Sequence, residues 1–234
     1  MELETRLPQL AHEGGADYYG VADLGPAADF LRDQGGEQIA RFPRAVVMGI
    51  VLLDTVVDLL PEREDQATAI LYRHMSYDVV NQALDLISLR VANTLRREGF
   101  QALPVPASKR TSDEKIAGVF SHKLAAHLAG FGWIGRSCLL VTPEHGPRVR
   151  WVTVLTEAPL TPTGSPMTHR CGDCTACVDI CPVHAFTGRL FREDEPREAR
   201  FNAALCDRYF KDMEKSGRPL VCGMCLFICP HGRK

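Results

Sequence analysis

Cys171-Gly172-Asp173-Cys174-Thr175-Ala176-Cys177-Val178-Asp179-Ile180-Cys181-Pro182 decides how the sequence is read, together with a second run, Cys222-Gly223-Met224-Cys225-Leu226-Phe227-Ile228-Cys229-Pro230. Three cysteines separated by two residues, with Cys-Pro three residues further on, is the spacing that wraps a tight loop around a cubane. Three thiolates bond three irons, and the loop turns its N–H groups towards the sulfides, where they stabilise the charge of the reduced cluster. The fourth cysteine, before proline, is carried away and ligates a second cluster. Cys171, Cys174 and Cys177 therefore need a thiolate from the second run, and Cys229 is the matching Cys-Pro. The other set takes Cys181, Cys222 and Cys225, and its remaining member has to come from upstream, where Cys206 is the only candidate.

Of the nine cysteines this leaves Cys138. It sits in the apolar run Cys138-Leu139-Leu140-Val141 and reads as a buried, inert thiol. Zinc also favours paired Cys-x2-Cys, but four cysteines in this order are not a zinc-ribbon pattern, so iron–sulfur is preferred. His169, His184 and His231 lie near the motifs, and with eight cysteines already sufficient they read as surface groups or partners of the ligands. Disulfides are disfavoured, because the N-terminal Met-Glu-Leu-Glu-Thr-Arg is acidic where a signal peptide is basic and no apolar segment with a cleavage site follows. A cytoplasmic protein without a membrane span is the expectation: the longest apolar stretch, Ala45 to Leu60, is broken by Asp54, Thr55 and Asp58.

The 27 Lys and Arg stand against 29 Asp and Glu, a balance that offers no electrostatic case for nucleic acid or membrane surfaces. With 45% hydrophobic residues, 234 residues can bury a core as one large domain or as a domain plus a small module. Residues 1–157 read as an alternating α/β domain. Arg44 to Leu53 is a Val- and Ile-rich run short enough for a buried strand. Asp78 to Glu98 places Val80, Leu84, Ile87, Val91 and Leu95 on one helical face, with Arg96 and Arg97 at its C-terminus and Gly99 as the cap. Thr111-x-x-Glu114 matches a capping box and predicts a helix running to Ala129. Cys138 to Thr142 and Val149 to Thr156 read as a hairpin around Pro143–Pro147. Residues 158–170, with three prolines and three threonines, form a linker, and 171–234 form a bacterial-ferredoxin-like module holding two 4Fe-4S clusters. Up to residue 170 there are 17 basic and 20 acidic residues, and after it 10 and 9, so neither part is a polyanion. Phe191 to Phe201 carries charges of both signs and reads as a solvated excursion or short helix.

The block Ser121-His122-Lys123-Leu124-Ala125-Ala126-His127-Leu128-Ala129-Gly130-Phe131-Gly132-Trp133-Ile134-Gly135-Arg136-Ser137-Cys138, followed by a Pro/Thr linker and the first cysteine run, resembles the epoxyqueuosine reductase family and its shorter relatives with a double 4Fe-4S domain. The likeness extends more weakly to Gly20-Val21-Ala22 and to the strand beginning at Phe42-Pro43-Arg44. It implies a nitroreductase-like α/β domain holding cobalamin, with the cluster module against it, an arrangement shared with reductive dehalogenases. Two departures stand out. The catalytic carboxylate of that family falls, counted without gaps, on Ile116, with Asp113 and Glu114 as neighbouring acids at a helix N-terminus. The sequence also ends five residues after Cys229, without the extension that helps grip tRNA in that family.

On this reading Gly132, Trp133, Ile134, Gly135, Arg136 and Ser137, with Ser108 and Lys123, are the candidate cofactor-binding residues. The glycines let backbone approach a flat cofactor, with Trp133 against it; the alternative is a helix-to-strand turn with Trp133 in the core. Ser108, Lys109 and Arg110 are placed to meet an anionic cofactor tail or to form a solvated loop. His74 and Tyr77, beside Tyr72, are candidates for a proton donor. The expected function is an oxidoreductase passing low-potential electrons from an external ferredoxin or flavodoxin through two 4Fe-4S clusters to cobalamin, with flavin as the alternative cofactor. The rival readings are a non-catalytic electron carrier for a partner enzyme and a true epoxyqueuosine reductase. The charge balance and Ile116 weigh against nucleic acid, and the substrate is left open.

Overall fold

The computed structural model describes residues 2–233. Along the chain the main elements are α1 (Leu3–Glu13), β1 (Tyr18–Asp23), α2 (Ala28–Gly35), β2 (Arg44–Val51), α3 (Gln66–Arg73), α4 (Val80–Arg97), β3 (Ala102–Val105), α5 (His122–Leu128), β4 (Trp133–Ile134), β5 (Leu140–Val141), β6 (Val149–Thr156), α6 (Ala176–Asp179), α7 (Ala203–Lys215) and α8 (Met224–Phe227). This is a mixed α/β fold. Its residues pack as two units, each assembled from separate stretches: one from residues up to 51, 79–131 and 150–167, the other from 52–78, 132–149 and 168 onwards.

The first unit is built on a four-stranded sheet in the order β1-β2-β6-β3, with β1 antiparallel to β2 and β3 antiparallel to β6. Period-two alternation divides its side chains between two faces. Val21, Val46, Met48, Val152 and Val154 join Leu7 and Ala11 of α1 and Leu84, Ile87, Val91 and Leu95 of α4 in one core. The intervening Ala45, Val47, Thr153 and Leu155 are fully buried too. They face the side occupied by α5, whose first residue, His122, bonds Thr153. A sheet covered on both faces needs strands apolar on both, which is why Arg44–Val51 reads as a continuous Val-, Met- and Ile-rich run in the sequence. The α4 stripe appears at the expected spacing; each fully buried Leu or Ile contributes about 2 kcal/mol. Gly99 takes the left-handed cap at φ 89°. The Pro- and Thr-rich stretch after β6 is anchored to this unit: Ala158 and Leu160 are buried, and Thr163 Oγ1 accepts from the Val21 N–H at 3.1 Å.

Two expected elements come out differently. The helix read from Thr111 begins only at His122. Residues 111–117 instead fold into a tight turn in which Ala117 O accepts from Thr111 N and Ser112 N, and Ser112 O accepts from Ala117 N. The Ser112 hydroxyl, accepting from Lys115 N at 3.0 Å, gives this backbone an alternative to the helix, and Ile116 at φ 47° is incompatible with one. Asp113 and Glu114 are therefore turn residues. Nor do the two later runs pair as a hairpin. Leu140–Val141 pairs with Trp133–Ile134, while Val149–Thr156, buried along almost its whole length, enters the four-stranded sheet between β2 and β3.

In the second unit most order comes from short turns and caps. Asp65 accepts from Thr68 N to start α3, and Asn202 accepts from Leu205 N to start α7. The excursion before α7 is tied down by the Phe186–Phe201 bridge, whose rings stack at 5.2 Å, and by buried Arg200, whose guanidinium lies 4.5 Å from the Phe191 ring. Arg148 is a second buried arginine of the unit: at 2% exposure it donates to Asp54 Oδ1 and Asp58 Oδ1, both at 2.7 Å.

Candidate functional site

The first cysteine run forms a loop closed by the Cys174 N–H on Cys171 O, then the single turn α6 carrying Cys177, then Cys181. The second run turns at Gly223, at φ 66°, where a Cβ would also come within 2.8 Å of the Leu60 side chain, and passes Cys225 through the single turn α8. Cys206 stands on the first turns of α7. No disulfide joins any of the nine cysteines, and Cys138 is buried at φ 56°.

Their mutual electrostatics sort the other eight into fours. The Cys177 thiol is pushed up to about 11, first by burial and then by the neighbouring Cys229, Cys171 and Cys174. Burial raises Cys229 as well, partly opposed by N–H groups of His231 and Gly232 aimed at its sulfur, with Cys171 and Cys174 again alongside. Cys206 is pushed up to about 11 by burial and then by Cys222, Cys181 and Asp207. Cys225 is raised most, by burial and by Cys222, Cys206 and Cys181, with Cys177 of the other set last. Four thiols held in partial burial resist ionisation unless a cationic group compensates them, which is the demand a metal centre meets. Among the described residues no three His, Cys, Asp or Glu side chains converge closely enough to hold a single metal ion.

The Gly132–Ser137 stretch lies in the same unit as these thiols. Trp133 is 1% exposed, and its indole N–H donates to Cys171 Sγ at 3.4 Å. A Cβ on Gly132 would meet Val141 O at 2.1 Å, and one on Gly135 would meet the Val141 side chain at 2.9 Å, so these glycines accommodate the β4–β5 pair. Arg136 donates to Gly172 O at 2.7 Å and to Gly188 O, clamping the first cysteine loop. Ile134 and Ser137 are buried. Of the histidines near the motifs, His231 meets the Trp133 ring edge-on at 4.9 Å, and His184 takes φ 48°.

Ser108 belongs to a different place. With Lys109, Arg110, Thr111, Ile116, Phe120 and others of residues 105–122 it lines a cavity of about 470 Å³ in the α/β unit. His122, at its wall, has both ring nitrogens engaged: Pro106 O only accepts, so Nε2 carries the proton at 3.0 Å, and Nδ1 accepts from the Thr153 hydroxyl at 2.9 Å. Burial lowers its pKa to about 4, holding the imidazole neutral. His74 and Tyr77 are not among the lining residues. His74 is exposed and sits 3.6 Å from Asp78, and Tyr77 packs edge-on to Tyr72 at 6.1 Å. Lys123, the second residue of α5, is half-buried and not among the cavity's lining residues. Nothing in the linear pattern marks Arg148 or His122; the nearest signal is Asp54 and Asp58, four apart and so on one side of a helical turn.

Residues 170–232 match the family of 4Fe-4S double cluster binding domains. Among curated proteins, an epoxyqueuosine reductase of Listeria monocytogenes is 29% identical over 156 residues, 60% of this chain and 38% of that protein. One from Synechococcus is 43% identical over 118 residues, 48% of this chain and 36% of that protein. The chain is related to the epoxyqueuosine reductases. The chain spans under two-fifths of the length of these relatives. Its fold is that of a solved epoxyqueuosine reductase (20% identity, TM-score 0.63, covering 98% of this chain and 65% of that one). It is equally that of a reductive dehalogenase whose structure is described as suggesting a mechanism for B12-dependent dehalogenation (20% identity, TM-score 0.69, covering 97% and 31%). No described helix is long and apolar enough to cross a membrane.

Proposed function

We propose that this chain is an iron–sulfur reductase. One 4Fe-4S cluster is held by Cys171, Cys174, Cys177 and Cys229, the other by Cys181, Cys206, Cys222 and Cys225, and their electrons pass to a corrinoid held by the α/β unit, which is nitroreductase-like. The sorting of eight thiols into two fours, each drawing on both motifs, carries this reading. When bound, the clusters supply one-electron storage at a potential set by charge, burial and N–H···S bonds. The chain provides those bonds from Trp133 to Cys171 and from the Ala185 N–H to Cys181, at 3.3 Å in the second case. It also holds the Arg136 guanidinium over the first loop.

The corrinoid rests on the likeness to the reductive dehalogenase fold and on a cavity whose rim, Ser108, Lys109 and Arg110, fits a phosphate-bearing tail. A flavin phosphate would suit the same donors. His122, with no free nitrogen, keeps that wall rigid and donates no proton to a ligand. An external ferredoxin or flavodoxin is the electron source. Anaerobically purified protein is expected to contain about eight iron and eight sulfide per chain, as two cubanes require; stoichiometric zinc without charge-transfer absorbance would overturn the cluster assignment. Titrating that protein with cobalamin should change the corrinoid spectrum. A response to flavin alone selects the alternative cofactor, and a response to neither leaves an electron carrier for a partner enzyme.

A second reading is favoured by the relatives' names: reduction of epoxyqueuosine in tRNA. The net charge of −2 and the neutral Ile116 weigh against it. A deletion strain with normal queuosine supports a different substrate, and purified, corrinoid-loaded protein that reduces epoxyqueuosine-containing tRNA establishes the second reading.

A further inference from the structure

Trp133 is a side chain that the fold spends on one sulfur. The short β4–β5 pair presents it, Gly132 permits the close backbone approach that seats it, and its ring is covered by the edge of His231 at 4.9 Å. The Arg170 guanidinium lies 5.8 Å from its centroid. At 1% exposure the indole cannot trade its N–H to water, and that N–H is aimed at Cys171 Sγ, 3.4 Å away. A buried indole has one donor and no acceptor, so this bond satisfies its only polar group.

We propose that Trp133 sets the reduction potential of the cluster on Cys171, Cys174, Cys177 and Cys229. The inference rests on the cluster assignment above. An N–H directed at a ligating sulfur draws charge from the thiolate, and because the reduced cluster carries one more negative charge, the bond favours the reduced state and raises the potential. Packing fixes the donor in advance, so no dipole has to turn when the electron arrives. The corresponding contact on the other set, Ala185 N–H to Cys181 Sγ, is made by backbone and is beyond the reach of side-chain substitution. The first set also has the N–H groups of His231 and Gly232 aimed at Cys229, but Trp133 is a side-chain donor to it, so the identity of the side chain at residue 133 adjusts that cluster alone. Trp133 is a positioning and tuning residue; it transfers nothing itself.

The test is Trp133→Phe, which keeps an aromatic ring against His231 and removes the donor. In an anaerobic dithionite titration followed by electron paramagnetic resonance, the variant should retain its iron while one of the two midpoint potentials moves to more negative values and the other stays. Two unmoved potentials in a variant with full iron overturn the proposal. Fewer than eight iron in the unsubstituted protein would instead take down the cluster assignment, and the inference with it. If Trp133→Phe loses iron, the native side chain is probed directly. Trp151→Phe protein carrying 15N-indole tryptophan has a single indole, and pulsed resonance of the reduced cluster should show its nitrogen coupling. Absence of that coupling overturns the proposal.

Discussion

Ile116 and His122 share the lining of one cavity, and both are held where an isolated residue would not stay. Ile116 is β-branched at φ 47°, a conformation costing about 1–2 kcal/mol, stabilised here by the Ser112–Ala117 bridge. It occupies the position where the family resemblance implies an acid, and an alkyl group moves no proton. Of the two acids beside it, Asp113 is exposed and pairs with Arg110 at 3.3 Å. His122 is neutral because burial outweighs its bond to Pro106 O and the Asp85 charge. With a folded pKa of about 4 against 6.5 when free, the unfolded chain takes up a proton that the folded chain refuses. Stability is therefore whole above about pH 6.5 and drains as pH falls towards 4, by on the order of 3 kcal/mol in all. The urea midpoint of His122→Gln should fall less steeply over that interval than that of the native chain. Parallel pH profiles for the two proteins would show that the imidazole is not held neutral.

Elements were legible where one periodicity acted alone. The α4 stripe and the β2 run were readable because burial on one or two faces imprints itself directly on the residue order. The Thr111 capping box misled because the same Ser, Asp and Glu chemistry that starts helices also closes turns, and the Ser112 side chain chose the turn. The β5–β6 hairpin misled because Trp133–Ile134, only two residues long, is too short to register as a strand. The cysteine runs were readable at the level of motif because cubane ligation tolerates few spacings; the place of Gly132–Arg136 beside the first loop was not, since contacts such as Arg136 to Gly172 O join residues far apart in sequence. Arg148 is the clearest long-range case. Its stem packs on Gly232, where a Cβ would meet Arg148 at 3.1 Å, and its guanidinium ties in Asp54 and Asp58. Arg148→Met removes both ion pairs while keeping most of the volume. It should cost about 2–3 kcal/mol, less than breaking a fully buried pair because both carboxylates reach solvent, as read by the thermal midpoint, and should speed the release of iron to a chelator.

At the scale of the molecule, the two compact units draw on interleaved stretches of chain, so neither corresponds to a contiguous segment. Within the second unit the proposed thiolate sets interleave again: 171 with 229, 181 with 222 and 225. Cys206→Ala removes one ligand from only one set. It should nevertheless lower the iron content to well under half of eight, because the loop carrying Cys181 and the turn carrying Cys225 also position the neighbouring set; a clean loss of four iron with four retained would show that the clusters assemble independently. The sorted cysteines have one more effect, on the unfolded chain. Joining residue 171 to 229 through a cluster closes a long loop, and joining 181 to 225 closes a second loop inside the first. A covalent link over such a span restricts the unfolded ensemble by roughly 4 kcal/mol. On the proposed ligation the clusters act as nested staples, and their oxidative loss would return the whole C-terminal segment to the entropy of an open chain.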